Sequence, residues 1–479
     1  MGTEQNTQPS YLTIANRIEA HILSKQLMHG TKLASIRQLA TAEGVSINTI
    51  RAALDKLTQQ GLLNSLPRIG FVVNYQQHSA DTQPFEEFVP DSCLAESSQH
   101  WLNTMVMGNR GANPFFHMAV PTQTKMFNSF QRQFRQVVKQ KFDHNVGSAA
   151  GLTSLRKTIS EQLATRHCQV NAADIQITNG CQNALEHMLR VICKPGDTVA
   201  IPVPAFPGYF ALLGILGLKA LEIPMSPQGP DAGILQQVMA DKKIKALIIQ
   251  PNCHNPTGIS LSDDYKQRIA RWADDYQIPV IEDDISALLN FVGPAPKLIA
   301  SYDKQNWCIV ISSISKVIGD SERLGWCCPA RFKQQYMTQF AVSQISSSYF
   351  LQQALTRYYQ GSLYQSQLRN WRLDIKVATT AVILRLQEKL GSTLQITPST
   401  GGYALWIKLP DQISASQLHS LIEKSKIDFL SGELFSLEAR FKQFIRLIIM
   451  PPLSDKTFIG IDHLVEVIDT YMTEKIKTN

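Results

Sequence analysis

The 479-residue chain is 44% apolar and 18% charged, the balance of a globular protein too long for one ordinary domain and able to bury large cores. Its longest apolar runs, such as FALLGILGL at 210–218, fall far short of the roughly 20 residues a membrane-spanning helix needs, so no such helix is expected. A formal charge of +7 permits contact with nucleic acid without demanding it, so where the charge sits matters more.

The N-terminal MGTEQNTQPS lacks a basic start followed by an apolar stretch, and no secretion signal is expected. The eight cysteines are scattered without a CxxC pair and read as reduced thiols of a cytoplasmic protein. Cys253-His254 alone is not a ligand set, and no metal site is expected. In YLTIANRIEAHI, Tyr11, Ala15, Ile18 and Ile22 share one helical stripe. After the break MHGTKL, IRQLATAE is a short helix, Gly44 a turn residue and Ser46 a helix N-cap. Ile50, Ala53, Leu54 and Leu57 then keep helical spacing until Gly61 stops the helix.

LLNSLPRIGFVV reads as two short strands around a Pro/Gly turn. The order predicts a winged helix-turn-helix, whose second helix enters the major groove by its N-terminal residues. Here those are Ser46, Ile47, Asn48, Thr49 and, one turn on, Arg51. Residues 1–74 carry seven Lys/Arg against four Asp/Glu, and Arg37, Arg51 and Arg68 from three elements suit phosphate docking. The competing reading, a small bundle for packing or dimerisation, is opposed by the polar start of the long helix and the basic wing tip.

GTKLASIRQLATAEGVSINTIRAALDKLTQQGLL with PRIGFVV resembles the DNA-binding domain of GntR-type bacterial regulators. The resemblance implies DNA roles for Arg37, Ser46, Asn48, Thr49, Arg51, Arg68 and the wing glycine Gly70. Ile47 stands where that family often carries arginine, which implies a different base preference. Residues 75–114 are polar and patternless, with five acidic residues and one basic, and are expected to form a linker.

Beyond residue 150, DIQIT (174–178), DTVAIPV (197–203), KALIIQ (245–250), IPVIED (278–283), CIVIS (308–312) and LGWCC (324–328) read as strands between helices. Such alternation predicts a mostly parallel sheet buried on both faces, with ligands outside the carboxyl ends of its strands. Gly180, Cys181 and Gln182 open a helix whose free N–H groups suit a phosphate. Asn255 offers an amide to a ring substituent, and Asp283 a carboxylate to a pyridine nitrogen. Ser313, Ser315 and Arg323 add donors, Phe206 a stacking face, and Lys316 an amine able to form a Schiff base with an aldehyde. Singly each has an ordinary explanation; in this order they are the set a pyridoxal-phosphate site needs.

With TNGCQNALEHML, PVPAFPGY, QPNCHNPTG, IEDD, SSISKVIGDSERLGW and FIRLII, the remainder resembles a fold-type I aminotransferase. The resemblance implies that Lys316 is the Schiff-base lysine, Asp283 the ring-nitrogen partner and Asn255 the ring-oxygen partner. It makes Ser313, Ser315 and Arg323 phosphate ligands, Phe206 the stacking aromatic and Arg446 the grip on a substrate carboxylate. The expected fold is multidomain: a mainly α winged helix-turn-helix (1–74), a linker (75–114) and an α/β pyridoxal-phosphate-dependent transferase-like domain (115–479). That architecture is similar to the MocR-type regulators.

Ile285 replaces a tyrosine the family usually aims at the ring oxygen, Phe206 drops a hydroxyl, and Val146 stands where related enzymes place a tyrosine reaching the partner subunit. These losses imply looser polar tuning and poor transamination. The expected protein is a cytoplasmic homodimeric regulator that reads a double-stranded operator and senses an amine, an amino acid or the cofactor. The alternative is a working aminotransferase with an appended DNA-binding module.

Overall fold

The computed structural model describes residues 10–23, 27, 31–60, 62–66, 70–74, 91–94, 124–140, 148–422 and 429–478. They fall into two compact units, described separately: one takes the residues up to 74 together with 379–391, and the other takes the rest.

In the first unit, helices α1 (Ser10–Leu23), α2 (Ile36–Glu43) and α3 (Ile47–Gln59) precede strands β1 (Leu63–Leu66) and β2 (Gly70–Val73). Ala15 and Ile22 of α1 pack with Ile50, Ala53, Leu54 and Leu57 of α3, and with Leu63 and Val73. The predicted stripes are therefore the core. Ser35 and Gln38 form a capping box at the start of α2. Gly44 ends α2 in the left-handed region, at φ 63°, a conformation glycine adopts without a Cβ penalty. β1 and β2 are antiparallel, and the backbone of Thr31 and Leu33 adds to β2 through Val73 N–H to Thr31 O and Leu33 N–H to Phe71 O, both 2.9 Å. The wing is thus broader than the two strands expected, because residues 31–33 come from before α2.

In the second unit, β3 (Ser92–Leu94), β4 (Gln176–Thr178), β5 (Thr198–Val203), β6 (Lys219–Ser226), β7 (Gly229–Pro230), β8 (Ala246–Ile249), β9 (Val280–Asp283), β10 (Cys308–Ser313) and β11 (Gly325–Cys328) build the main sheet. Its order is β3-β6-β5-β8-β9-β10-β11-β4, with β7 paired to β6. β6, β5, β8, β9 and β10 are mutually parallel. The segment 314–324 is too short for a crossover helix, so β11 returns antiparallel to β10. Ser92–Leu94, inside the stretch read as a linker, instead pairs antiparallel with β6. Three residues are too few to show a strand period. β6 was also not predicted: Glu222 and Pro224 interrupt its apolar pattern.

Helices α4 (Cys181–Ile192) and α5 (Pro207–Ile215) cover one core, with Leu185, Met188 and Leu189 against Ile201, Ile248 and Ile309. A smaller antiparallel sheet follows, β12 (Gln395–Ile396), β13 (Ala404–Lys408), β14 (Leu430–Ser431) and β15 (Phe444–Ile448), in the order β12-β13-β15-β14. Among the described residues no helix is long and apolar enough to cross a membrane.

Candidate cofactor site and nucleic-acid interface

β9 and β10 lie side by side in parallel, Asp283 opposite Ile311, so the end of β9 and the turn after β10 open at the same edge. Asp283 closes β9 and is buried. It accepts the Tyr209 hydroxyl at 2.6 Å, the Ile285 N–H at 3.0 Å and the Cys181 thiol at 3.3 Å. Burial raises its pKa against these three donors. Among the described residues no cationic side chain forms an ion pair with it. The next residue differs: Asp284 binds Arg166 through both guanidinium Nη atoms, Nη2 at 2.7 Å, and Arg166 Nε donates to Pro296 O.

Lys316 follows β10 in a tight turn, its carbonyl accepting the Tyr403 hydroxyl at 2.6 Å. Its side chain is half-buried. Burial lowers the amine pKa to about 8; Asp320 and Asp283 oppose the shift, and the Arg446 and Arg323 guanidiniums reinforce it. An amine so placed is a better nucleophile at neutral pH than an ordinary lysine.

Arg323 lies beside the start of α4. A Cβ on Gly180, at φ +103°, would sit 2.9 Å from Arg323 Nη2. A Cβ on Gly325 would meet Ser312 O at 2.6 Å and Gly180 Cα at 2.8 Å, so both glycines are needed for this approach. α4 starts at Gly180 with no side-chain cap, which leaves its first N–H groups to a ligand or water. Ser313 and Ser315 hydroxyls lie 2.6 Å apart on the other side of the turn. Arg323 itself has φ +45°, a costly backbone conformation for a residue that carries a Cβ.

Phe206 caps α5 and meets Tyr209 edge to face, centroids 5.5 Å apart. Gly208 makes room for its ring, since a Cβ there would fall 2.3 Å from Cε1. Gln182 donates to Gly208 O at 2.9 Å, so its side chain braces the stacking turn, while its backbone belongs to the α4 start. Buried Asn255 accepts Arg446 Nη1 at 3.3 Å. Arg446, on β15 opposite Trp406, is buried with its Cζ 5.4 Å from the Phe435 ring, and burial lowers its pKa to about 9. A carboxylate is the ligand that best answers a guanidinium there.

The structure thus gathers Gly180, Cys181, Gln182, Phe206, Asn255, Asp283, Ser313, Ser315, Lys316, Arg323 and Arg446 around the carboxyl ends of the strands. Tyr209 and the Cys181 thiol escaped the sequence reading. Phe206 and Ile285 bring no hydroxyl to the site; Tyr209, one helical turn past Phe206 in PAFPGY, donates its own to Asp283. The available signal was that spacing on a helix opened by Pro207. Val146 lies outside the described residues. Among the described residues no His, Cys, Asp and Glu group could hold a metal.

In the first unit, Arg37, Asn48, Arg51 and Gly70 are exposed. Ser46 is the N-cap of α3: it accepts the Thr49 N–H at 3.1 Å and lies 2.8 Å from the Thr49 hydroxyl. Gly70 opens β2 at φ +106°. Arg68 lies outside the described residues.

Residues 117–468 match the family described as aminotransferase class I and II, and residues 10–73 match the gntR family of bacterial regulatory proteins. The HTH-type transcriptional regulator YjiR of Escherichia coli (strain K12) is 28% identical over 92% of this chain and 94% of its own length. Aromatic-amino-acid aminotransferase 1 of Thermococcus litoralis is 23% identical over 68% of this chain and 80% of its own. A crystal structure of Pyrococcus horikoshii kynurenine aminotransferase superposes with a TM-score of 0.70 and 22% identity, covering 83% of this chain and 97% of that one. The large domain is therefore an aminotransferase fold, and regulators with both parts align along nearly the whole chain. The chain belongs to the class I and II aminotransferase family and, with its gntR-type head, is a MocR-type DNA-binding transcriptional regulator.

Proposed function

We propose that the large domain holds pyridoxal 5'-phosphate and senses an amine, an amino acid or the cofactor itself, in a cytoplasmic homodimer whose two heads read two half-sites. The observation that carries this reading is Asp283: a buried carboxylate fixed by three donors, without a cationic partner among the described residues, facing the same site as a lysine amine at about 8. A protonated pyridine nitrogen is the cation that environment lacks. When bound, the cofactor supplies an aldehyde that condenses reversibly with primary amines.

Lys316 supplies such an amine from the chain. Gly180, Cys181 and Gln182 offer backbone N–H groups, and Arg323, Ser313 and Ser315 offer donors, to the phosphate. Phe206 offers a flat face, and Asn255 a polar group to the ring, held in place by Arg446. Arg446 is left to orient the carboxylate of an amino-acid effector. Regulation requires that loaded and effector-bound states differ in contacts that reach the heads.

Incubation of the full-length protein with pyridoxal phosphate and then borohydride should add the reduced cofactor's mass to the wild type and not to Lys316→Ala. An unlabelled wild type would sink the cofactor reading. Because Lys316, Asp283 and Arg446 share one site, an aminotransferase with a DNA-binding module is the second reading. Steady turnover of an amino donor with a keto acid would favour it.

A further inference from the structure

Ile47 is the first residue of α3 and is 44% exposed, the one large apolar side chain so open among the described residues of the first unit. It continues the stripe of Ile50, Leu54 and Leu57, yet the core ends at Ile50: those three are fully buried. Around it the surface is polar. Ser46 and Thr49 engage each other's hydroxyls, and exposed Asn48 and Arg51 have no side-chain partner among the described residues. An apolar group left out at the groove-entering end of a recognition helix has nothing among the described residues that buries it.

Isoleucine cannot hydrogen-bond a base edge. In the major groove the apolar feature available to it is the thymine C5-methyl group. We propose that Ile47 is a specificity-determining residue that packs against a thymine methyl, so that each operator half-site carries thymine where the start of α3 meets the bases. Asn48 and Arg51 remain free for hydrogen bonds on either side, which makes Ile47 the apolar reader in a polar set. The inference rests on the DNA-binding reading of the head and deepens it.

The test uses the full-length protein and sequence selection from a pool of random duplexes. The wild type should enrich one thymine per half-site. Replacing that base by deoxyuridine removes only the methyl and should weaken binding about three- to fivefold, the effect of burying one methyl group. Ile47→Ala should bind the thymine and deoxyuridine duplexes equally. Ile47→Arg should move the selected base toward guanine, the partner that offers arginine two acceptors. Deoxyuridine substitution that leaves the wild type unchanged, or weakens wild type and Ile47→Ala alike, would overturn the inference while leaving the DNA-binding reading intact. A wild type that selects no sequence at all would overturn both. Ile47 lies outside the core, so either variant should keep the wild-type melting temperature, which separates lost recognition from lost folding.

Discussion

Asp283 and Asp284 are neighbours in the chain, both buried, and answered in opposite ways. The Arg166 guanidinium meets Asp284 from within the fold. Asp283 receives a phenol, a thiol and a backbone N–H, all of which donate hydrogen bonds without neutralising it. Removing one member of a completed buried pair strands the other's charge, whereas under the proposed cofactor reading Asp283 gains its cation only when the cofactor is bound.

The contrast is sharpest in what each loss should break. Arg166→Ala leaves Asp284 buried and unpaired and should cost about 3–5 kcal/mol of unfolding free energy, read from urea midpoints. Asp283→Asn should leave the midpoint at neutral pH equal or higher. The raised folded-state pKa of Asp283 means the folded protein binds more protons than the unfolded chain above the ordinary carboxylate range. Stability without the cofactor therefore falls as pH rises through that window, and the amide variant should lose this decline. The same substitution should strip the protein of pyridoxal phosphate, seen as loss of visible absorbance after dialysis. A matching stability loss in both variants would erase the distinction between the two aspartates.

Tyr209→Phe should act between these extremes. It removes one donor from Asp283 and keeps the ring against Phe206. A hydrogen bond to a charged group is worth about 1.5–3 kcal/mol, so cofactor affinity should fall roughly tenfold or more while Lys316 still becomes labelled. Unchanged affinity would mean that the hydroxyl only fills space.

Tyr209 also marks where the sequence stopped being readable. Motif residues at strand ends were legible because each lies beside its own strand: Asp283 closes an apolar run, and Lys316 follows another. Partners were not. Tyr209 reaches Asp283 across 74 positions, and Arg166 reaches Asp284 across 118. No local period reports which polar side chains a fold will bring together. β6 was missed for the same reason: Glu222 interrupts the apolar run because the Ser436 hydroxyl and the Leu437 N–H, from more than 200 residues away, satisfy it inside the sheet. The head was easier to read. Its stripe, turn glycine and N-cap are local signals, and Arg37, Ser46, Asn48, Arg51 and Gly70 lie on the surface, where no distant partner is needed.

The smallest expected effect concerns Lys316, whose neighbours decide how readily it reacts. With its pKa lowered to about 8, the folded protein offers a neutral amine at a pH where a solvent-exposed lysine is almost wholly protonated. Labelling by pyridoxal phosphate should speed up as pH rises and level off above about 8. Asp320 is the leading influence that keeps the amine protonated, and its side chain is exposed. Asp320→Asn should therefore move the levelling point to lower pH by a fraction of a unit, with no change in the urea midpoint. A shift to higher pH would mean that burial and the two guanidiniums do not set the reactivity of this lysine, and that the environment facing Asp283 is not the one Lys316 experiences.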